Sequence, residues 1–176
     1  MRKIALFIYL VFSWLPNSYA PIIGKLCNFL RASICKLLFR KCGKHITICK
    51  NVYFGTGANI EIGDYSGLGK NFEMHGCDLK IGKYVMMGPQ VMIFAASHNT
   101  QNTDRPMCFQ GATNHKTEIT ISDDVWIGAR VTILGKTSSI GKGAIIGAGS
   151  VVTKSIPDYA VVAGNPAKII KYRTDK

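Results

Sequence analysis

The chain has 176 residues, a length that supports one main domain and an appendage. Its formal net charge is +12, but the basic residues are not interleaved with a nucleic-acid recognition motif. No helix-turn-helix or zinc-finger spacing occurs either, so nucleic acid is discounted as a partner. Its six cysteines form no CxxC pair, which supports neither a zinc site nor a redox motif and favours a reduced, cytoplasmic protein.

Residues 1–45 form an N-terminal segment that is both basic and apolar. Its apolar runs, IALFIYLVFSWL and LCNFLRASICKLLF, predict one or two short helices. The first 50 residues contain no acidic residue but nine basic ones: Arg2, Lys3, Lys25, Arg31, Lys36, Arg40, Lys41, Lys44 and Lys50. The segment is therefore suited to packing on the end of the main domain or to touching an anionic membrane surface.

The extreme N-terminus also has the layout of a secretory signal peptide. Arg2 and Lys3 precede an apolar run to Leu15, and NSYA at 17–20 resembles a cleavage site. Against export, a second apolar and basic segment follows without a polar boundary, and the run is short for a membrane span, which needs about 20 residues. We therefore expect a cytoplasmic protein, with residues 1–45 suited to a peripheral place at the inner membrane.

A six-residue repeat occupies the chain between Ile62 and Ile156. Each unit is an aliphatic residue, usually followed by glycine, with a small or branched residue three positions after that. Nine units share one register, and they begin at Ile62, Leu68, Ile81, Met87, Ile121, Ile127, Ile140, Ile146 and Val152. A hexapeptide period is a signature of a parallel β-helix, in which each unit is one short strand and a corner.

Three units make one coil of such a helix, and the leading residues of successive coils stack inside it. We expect coils led by Ile62/Leu68/Met74, Ile81/Met87/Ile93, Ile121/Ile127/Ile133 and Ile140/Ile146/Val152, after a ragged coil around Ile48, Phe54 and Ile60. Glycines are expected where a side chain would crowd the bend: Gly63, Gly69, Gly82, Gly88, Gly128, Gly141 and Gly147. The stacked positions form the scaffold, so the chemistry must lie elsewhere.

The largest departure from the repeat is a stretch of about two dozen residues between Ile93 and Ile121. We expect it to leave the coil as a loop at residues 98–118, and long loops in compact repeats are usually functional or disordered. His98 stands at its entrance, where a general base would have fixed geometry and access to substrate. A histidine in such a place is more often a surface residue, so the pattern alone does not decide its role.

Several strings of this chain resemble those of the hexapeptide-repeat acyltransferases, the left-handed β-helix superfamily. They are SHN at 97–99, Arg105-Pro106 and Gln110-Gly111 in the loop, DDVWIGARVTIL from Asp123, and IGAGSVVTKSIP followed by VVAGNPAKIIKYR. The resemblance covers roughly residues 40–173. It is nearest to the branch with maltose and galactoside acetyltransferases and capsular-polysaccharide O-acetyltransferases.

The resemblance implies a mainly β fold. We expect a left-handed parallel β-helix at residues 46–176, with the extruded loop 98–118 and a C-terminal tail, preceded by the helical segment 1–45. The left hand comes from the family, since parallel crossovers are generally right-handed. The family also implies a homotrimer whose cleft lies between neighbouring subunits, with acetyl-CoA as the co-substrate and no metal.

The same resemblance implies roles for nine residues. His98 matches the catalytic histidine, which removes a proton from an acceptor hydroxyl so that its oxygen attacks the acetyl-CoA thioester directly. The backbone N–H of Ala129 would donate to the thioester oxygen, and Asn71 would contact the acceptor. The residues that would contact acetyl-CoA are Trp126, Ala148, Thr153, Lys154, Lys168 and Lys171.

Simpler interpretations compete with some of these roles. Trp126 could pack in the core, Asn71 could be a turn residue, and Lys154 could be an ordinary solvated side chain. A backbone carbonyl could orient the histidine, or one of three carboxylates: Glu73, Asp78 or Asp104. Relatives commonly read ILPGVTIG where this chain reads ILGKTSSIG, which leaves the shape of the CoA groove open.

The implied function is O-acetylation of a sugar hydroxyl in a surface or capsular polysaccharide or its lipid-linked precursor. A serine or sugar-nucleotide N-acetyltransferase would use the same base and the same CoA groove. A zinc carbonic anhydrase shares the helix but needs three histidine ligands, and His75, His98 and His115 lack the close pair of that branch. A non-catalytic scaffold is the last alternative.

Overall fold

The computed structural model describes residues 1–113 and 117–174, and the chain begins with a helical hairpin. Helix α1 is Arg2–Ser13 and helix α2 is Gly24–Leu38. Helix α1 ends ahead of the Leu15-Pro16 pair, because a proline disfavours the helical conformation in the residue before it. The apolar runs therefore form the predicted helices. Within the described residues, no helix has the length and apolar character needed to cross a membrane.

The rest of the described chain winds as a parallel β-helix with three faces. The first face contains β1 (Lys41–Cys42), β3 (Ile60–Ile62), β6 (Cys77–Ile81), β9 (Thr117–Ile121) and β12 (Ser139–Ile140). The second contains β2 (Thr47–Ile48), β4 (Gly67–Leu68), β7 (Met86–Met87), β10 (Trp126–Ile127), β13 (Ile145–Ile146) and β15 (Ala160–Ala163). The third contains β5 (Glu73–His75), β8 (Met92–Phe94), β11 (Thr132–Leu134) and β14 (Val151–Val152). The last strand, β16 (Lys168–Tyr172), returns antiparallel along β15.

The register of strand pairing confirms the predicted coils. On the first face the paired leading residues are, in order, Ile62, Ile81, Ile121 and Ile140. On the third face they are Met74, Ile93, Ile133 and Val152. All of these side chains are buried, so the aliphatic columns form the core and their burial stabilises the coil.

The earliest coil differs from the prediction at one residue. The sequence predicts Ile60 in that coil, but Ile60 pairs with Leu79 and belongs to the same coil as Ile62. Strand β3 reads Ile-Glu-Ile, and strand alternation points both isoleucines inward. Cys42 pairs with Ile62 and leads the earliest coil on this face, at a position where a cysteine does not fit the aliphatic pattern.

The glycines that follow the leading residues lie where a side chain would be crowded, as predicted, and the crowding comes from the next coil. A Cβ on Gly63 would lie 2.6 Å from the carbonyl carbon of Gly82, and one on Gly128 would lie 2.6 Å from the backbone nitrogen of Ala148. Such distances are too short for any other residue, so glycine is what allows neighbouring coils to stack at this spacing.

The helical hairpin covers the open edge of the first coil with hydrogen bonds. Asn28 Nδ2 donates to the carbonyl oxygen of Ile46 at 3.1 Å, and Asn28 Oδ1 accepts from the backbone N–H of Ile48 at 2.8 Å. The Tyr9 hydroxyl donates to the carbonyl oxygen of Val52 at 2.8 Å, and burial raises the pKa of this phenol. Side chains of the hairpin thus satisfy backbone groups that a further coil would otherwise pair.

Arg31 is the central residue of this cap, and its side chain is fully buried. Nε donates to the carbonyl oxygen of Ile48 at 2.8 Å, while the two Nη atoms donate to the carbonyl oxygens of Leu15 at 3.2 Å and Pro16 at 3.1 Å. Burial lowers the pKa of the guanidinium because the charged form loses its water. Arg31 therefore joins α2 to the interhelical link and the first coil, so this cation follows the packing alternative and is not exposed to a membrane surface.

Candidate active site

The loop that interrupts the repeat leaves the third face after β8 and is closed at its base by paired backbone. His98 forms an antiparallel bridge with Ala112, and the N–H of Asn99 donates to the carbonyl oxygen of Gly111 at 3.0 Å. The backbone of His98 is therefore held in place while its side chain is exposed. This arrangement combines the fixed geometry and the open access that a general base requires.

The far part of the loop is held by one glutamine. Gln110 Nε2 donates to the carbonyl oxygens of Asn102 and Arg105, each at 2.7 Å, and Gln110 Oε1 accepts from the N–H of Asn102 at 3.2 Å. A short 3₁₀ helix, Met107–Phe109, lies between these contacts. The Gln110-Gly111 string that contributes to the resemblance thus has a structural role in closing the loop.

No carboxylate in the described ranges forms an ion pair with His98. Glu73 Oε2 lies 3.7 Å from Nε2 of His75, and Asp78 Oδ2 lies 3.1 Å from Nη2 of Arg40. Two of the three candidate carboxylates are therefore engaged with other groups. The third candidate, Asp104, and a backbone carbonyl stay available to orient the imidazole of His98.

Across residues 1–113 and 117–174, no group of three or more His, Cys, Asp and Glu side chains could hold a metal ion. His75, one of the histidines considered for zinc, stacks between Tyr53 and Phe94 at ring-centroid distances of 5.2 and 5.4 Å. His115, another of those histidines, lies in 114–116, outside the described residues.

A cavity of about 490 Å³ opens beside the base of the loop. It is lined by residues at and just after the ends of β8, β11 and β14: Phe94, Ala95, Ala96, Ser97, Leu134, Gly135, Lys136 and Thr153. Thr153, predicted to contact CoA, thus shares a cavity with Ser97, the neighbour of His98. Lys136 was missed by the sequence reasoning, although it belongs to ILGKTSSIG, the string that departs from the relatives, and that departure was the available signal.

The ILGKTSSIG string folds as a turn that is fixed against the rest of the coil. The Thr137 hydroxyl donates to the carbonyl oxygen of Val152 at 3.1 Å, and the N–H of Gly135 donates to the carbonyl oxygen of Phe94 at 2.9 Å. The longer string is therefore accommodated without breaking the stack of coils. Its fixed position also defines one wall of the cavity.

Two backbone N–H groups are open at the corner between the second and third faces. Ala129 and Ala148 lie on neighbouring coils there, and the N–H of Gly149 donates to the carbonyl oxygen of Ala129 at 2.8 Å. Neither the N–H of Ala129 nor that of Ala148 donates to an acceptor within the described part of the chain. Unpaired donors on a surface suit a carbonyl or anionic oxygen of a ligand.

The corner between the first and second faces shows which acceptor a backbone N–H at the same position of the repeat bonds elsewhere. There the N–H of Lys83 donates to Oδ1 of Asp123 on the next coil at 2.7 Å, and the same arrangement recurs at two other coils. Ala148 occupies the corresponding position above Ala129, and a methyl group cannot accept a hydrogen bond. Alanine at position 148 is therefore what leaves the N–H of Ala129 unpaired.

Asn71 lies in a polar column that runs beside Ala129. It adopts the left-handed backbone conformation (φ 57°), as do Gln90 (φ 59°) and Arg130 (φ 57°) on the following coils. The column and its neighbours line a cavity of about 360 Å³: Asn51, Asn71, Glu73, Gln90, Met92 and Arg130. Asn71 is thus a turn residue, as the simpler interpretation holds, and its side chain, which accepts from Asn51 Nδ2 at 3.1 Å, also borders a polar cavity.

Trp126 lies on the second face with its side chain outside the core. Its partners in register are Met86 and Ile145, and it is 50% exposed. It lines a groove together with Tyr19, Tyr65 and Met86. The interpretation of Trp126 as core packing is therefore wrong, and its contact with the cofactor stays a prediction.

The three lysines predicted to contact acetyl-CoA are exposed. Lys154 follows β14, and Lys168 and Lys171 lie on β16. None of them forms an ion pair with a described residue, whereas Nη1 of Arg173 lies 2.9 Å from Oδ2 of Asp124. The lysines thus keep positive charge that is not committed to a carboxylate and is free for a phosphate.

The predicted site residues fall in three places of one chain. Thr153 lies beside the base of the extruded loop, the two alanines and Asn71 follow one corner, and Trp126 shares the second face with β16. None of the three cavities described above contains residues from all three places. The chain by itself therefore does not gather these residues into one pocket.

Known proteins resemble the chain over most of its length, although no protein-family model matches it. The chain is 33% identical over 149 residues to galactoside O-acetyltransferase of Escherichia coli strain K12, an alignment covering 83% of this chain and 70% of the relative. A solved structure of galactoside acetyltransferase in complex with coenzyme A matches 99% of this chain and 81% of its own, with a TM-score of 0.80 and 29% identity. The structure of a hexapeptide-repeat-containing acetyltransferase of Vibrio cholerae, complexed with acetyl coenzyme A, matches 99% of this chain and 87% of the Vibrio chain, with a TM-score of 0.76 and 26% identity.

Proposed function

The chain belongs to the hexapeptide-repeat acetyltransferases, which are CoA-dependent enzymes, and from that premise we propose that it acetylates a sugar hydroxyl. The proposed acceptor is part of a surface or capsular polysaccharide or of its lipid-linked precursor. Support comes from a relative that is a galactoside O-acetyltransferase, whose name states a sugar acceptor. We place the protein in the cytoplasm, because the reaction needs acetyl-CoA and exported proteins do not meet it.

The open N–H of Ala129 is the observation that supports acyl transfer most directly. It has no acceptor within the described residues, and it adjoins the polar column of Asn71, Gln90 and Arg130. A preorganised donor without an acceptor needs no reorganisation when negative charge develops on a substrate oxygen. The polar column beside it suits an acceptor with many hydroxyl groups.

In the proposed reaction His98 acts as the general base. Its imidazole nitrogen takes the proton of the acceptor hydroxyl as the hydroxyl oxygen forms a bond to the thioester carbonyl carbon. The electrons of the carbonyl double bond move to its oxygen, which the N–H of Ala129 stabilises as an oxyanion. When the carbonyl re-forms, the carbon–sulfur bond breaks, and the CoA thiolate takes the proton from the imidazolium. The products are the acetyl ester and CoA.

We also propose a homotrimer in which the cleft lies between neighbouring subunits. The spread of the predicted residues over three places of one chain supports it, because a second copy against the loop would let His98 of one subunit face Ala129 and Trp126 of the next. Asn71 would then contact the acceptor. The proposed acetyl-CoA contacts are those predicted from the sequence, with Lys136 added: Trp126, Lys136, Ala148, Thr153, Lys154, Lys168 and Lys171.

Acetyl transfer to a sugar hydroxyl is tested with acetyl-CoA labelled in the acetyl group. The enzyme is offered a galactoside, maltose, serine and an amino-sugar nucleotide, and the products are identified by mass spectrometry. We expect the label on the sugars, in a bond that mild base or hydroxylamine cleaves, because an ester is cleaved under conditions that leave an amide intact.

Label found only on serine would show that serine, and not a sugar, is the acceptor. Label found only in a base-stable amide would show N-acylation. Release of free acetate without transfer in the whole panel would show that none of these classes is the acceptor. Binding of acetyl-CoA, measured separately by calorimetry, distinguishes a wrong acceptor from an inactive preparation.

The proposed CoA lysines are tested by the triple variant Lys154→Gln/Lys168→Gln/Lys171→Gln. We expect the KM for acetyl-CoA to rise roughly 10- to 100-fold, because each charged hydrogen bond to phosphate is worth about 1.5–3 kcal/mol before screening by solvent. The KM for the acceptor should change little. Added salt should weaken the wild-type enzyme in the same direction, since it screens these charges.

The matched control removes the same charge elsewhere, in the variant Lys70→Gln/Lys83→Gln/Lys142→Gln. These lysines are also exposed, but they lie outside the proposed CoA contacts. Equal KM values for acetyl-CoA in the two triple variants would contradict the assignment of the C-terminal lysines.

A further inference from the structure

Helix α1 exposes an apolar stripe on the side that faces away from the coil. Ile4, Phe7, Val11 and Trp14 follow one another at helical spacing, and they are 66, 68, 55 and 71% exposed. The opposite side of α1 is the one that packs, since Ala5, Tyr9 and Ser13 are buried there. The helix is therefore apolar on both sides, although only one side has a partner.

Helix α2 and the interhelical link extend this apolar surface. Leu26, Phe29 and Leu37 are 59, 65 and 67% exposed, and Ile22 in the link is fully exposed. Residues 1–37 are about a fifth of the chain, yet they hold about half of its large exposed hydrophobic side chains. A surface of this kind on a soluble domain marks an interaction site.

A cationic cleft adjoins the apolar surface. Its lining combines three lysines with other polar and apolar residues: Lys25, Asn28, Phe29, Ala32, Ser33, Lys36, Lys44, His45 and Ile46. The ammonium groups of Lys25, Lys36 and Lys44 form no ion pair among the described residues. Phe29 belongs to both the cleft and the exposed apolar set, so the two features form one continuous surface.

Two other cations of the N-terminal segment are already ion-paired, unlike the three cleft lysines. Arg40 lies 3.1 Å from Asp78, and Lys41 lies 3.1 Å from Glu61. Glu61 is also the first acidic residue of the sequence, so the hairpin contributes no carboxylate of its own. The hairpin side of the surface is thus apolar and cationic, while Asp64 borders the cleft at Lys44, whose backbone N–H donates to Asp64 Oδ1 at 2.8 Å.

We propose that the α1–α2 hairpin docks in the plane of an anionic lipid bilayer. The apolar stripe with Trp14 lies at the boundary between headgroups and acyl chains, and Lys25, Lys36 and Lys44 bind lipid phosphates. The in-plane orientation follows because no described helix is long and apolar enough to cross. A second copy docked on the same surface would bring its lysines against these, and the hairpin has no acidic residue to offset them.

Binding is tested by sedimentation of the full chain with vesicles of phosphatidylcholine alone or mixed with phosphatidylglycerol. We expect binding to the mixed vesicles at low salt, and release by high salt because the lipid contacts of the lysines are screened. The variant Lys25→Gln/Lys36→Gln/Lys44→Gln should bind them roughly 100-fold more weakly, about fivefold per lysine. The charge-matched variant Lys70→Gln/Lys83→Gln/Lys142→Gln should bind like the wild type.

Insertion is tested by fluorescence, because the chain has only two tryptophans, Trp14 and Trp126. In the variant Trp126→Phe, the emission of Trp14 should shift to shorter wavelength when anionic vesicles are added. The variant Trp14→Phe, which keeps Trp126, should show no shift.

Three outcomes would overturn the proposal. Equal binding to neutral and anionic vesicles would remove the lysines from the contact. Binding without a shift of Trp14 would show that another surface docks. A shift of Trp14 with rising protein concentration and no lipid would show that a second copy covers the hairpin. A control with inorganic phosphate distinguishes lipid phosphate from free phosphate as the ligand of the cleft. Free phosphate should compete for the cleft lysines without shifting the emission of Trp14.

Discussion

Replacing His98 with alanine is expected to lower kcat for acetyl transfer by roughly 10²–10⁴-fold, the usual contribution of a positioned general base. The structure gives this residue a fixed backbone at the base of the loop and an exposed side chain. Because the residue takes the proton of the acceptor and makes none of the proposed CoA contacts, acetyl-CoA should bind the variant with nearly unchanged affinity. Steady-state kinetics and calorimetry measure the two quantities separately.

A matched control is His75→Ala, which removes a second histidine of the same coil region. His75 stacks between Tyr53 and Phe94 and makes no proposed contact with either substrate. Its kcat should stay within a few fold of the wild type. Retained activity in the His98 variant, or an equal loss in both, would remove His98 from the mechanism.

Replacing Arg31 with methionine is expected to lower the free energy of unfolding by about 2–4 kcal/mol, a fall of roughly 5–15 °C in Tm for a protein of this size. The methionine fills much of the same volume but donates no hydrogen bond. The carbonyl oxygen of Ile48 would then lose a buried donor, and those of Leu15 and Pro16 would lose partly buried ones. Thermal unfolding followed by circular dichroism measures the change.

The control for Arg31→Met is Lys25→Met on the same helix. Lys25 is exposed, so its replacement should change stability by less than about 0.5 kcal/mol. Hydrogen exchange of α1 and α2 adds a local measurement, since loss of the guanidinium contacts should expose the hairpin amides before those of the coil. A methionine variant as stable as the wild type would show that other groups satisfy these carbonyls.

The coil is predictable from the sequence because its geometry repeats. An inward aliphatic residue every six positions fixes the register, so the pairing of Ile81 with Ile121 follows even across the extruded loop. The prediction fails at Ile60, where one strand has two inward isoleucines, and at Cys42, where a cysteine fills an aliphatic position. Both failures occur at the ragged start of the repeat, where few units define the period.

The helical segment and the site are less accessible to sequence reasoning. Arg31 looks like any surface cation, because its burial depends on carbonyl groups of the interhelical link and of the first coil that only the fold brings near. The open N–H of Ala129 depends on a methyl group one coil later, a relation across 19 positions that only the stacking of coils reveals. The role proposed for His98 rests on the resemblance, because the described part of one chain does not bring the other predicted site residues to it.

The cap that the hairpin places on the first coil also limits how copies of the protein can associate. A solenoid has two ends, and a bare first coil would offer unpaired strand edges to the last coil of another molecule. Such a head-to-tail contact does not close on itself, so it would propagate as a fibre. Asn28, Arg31 and Tyr9 occupy those edge groups, and the hairpin thereby ends the stack at a discrete particle.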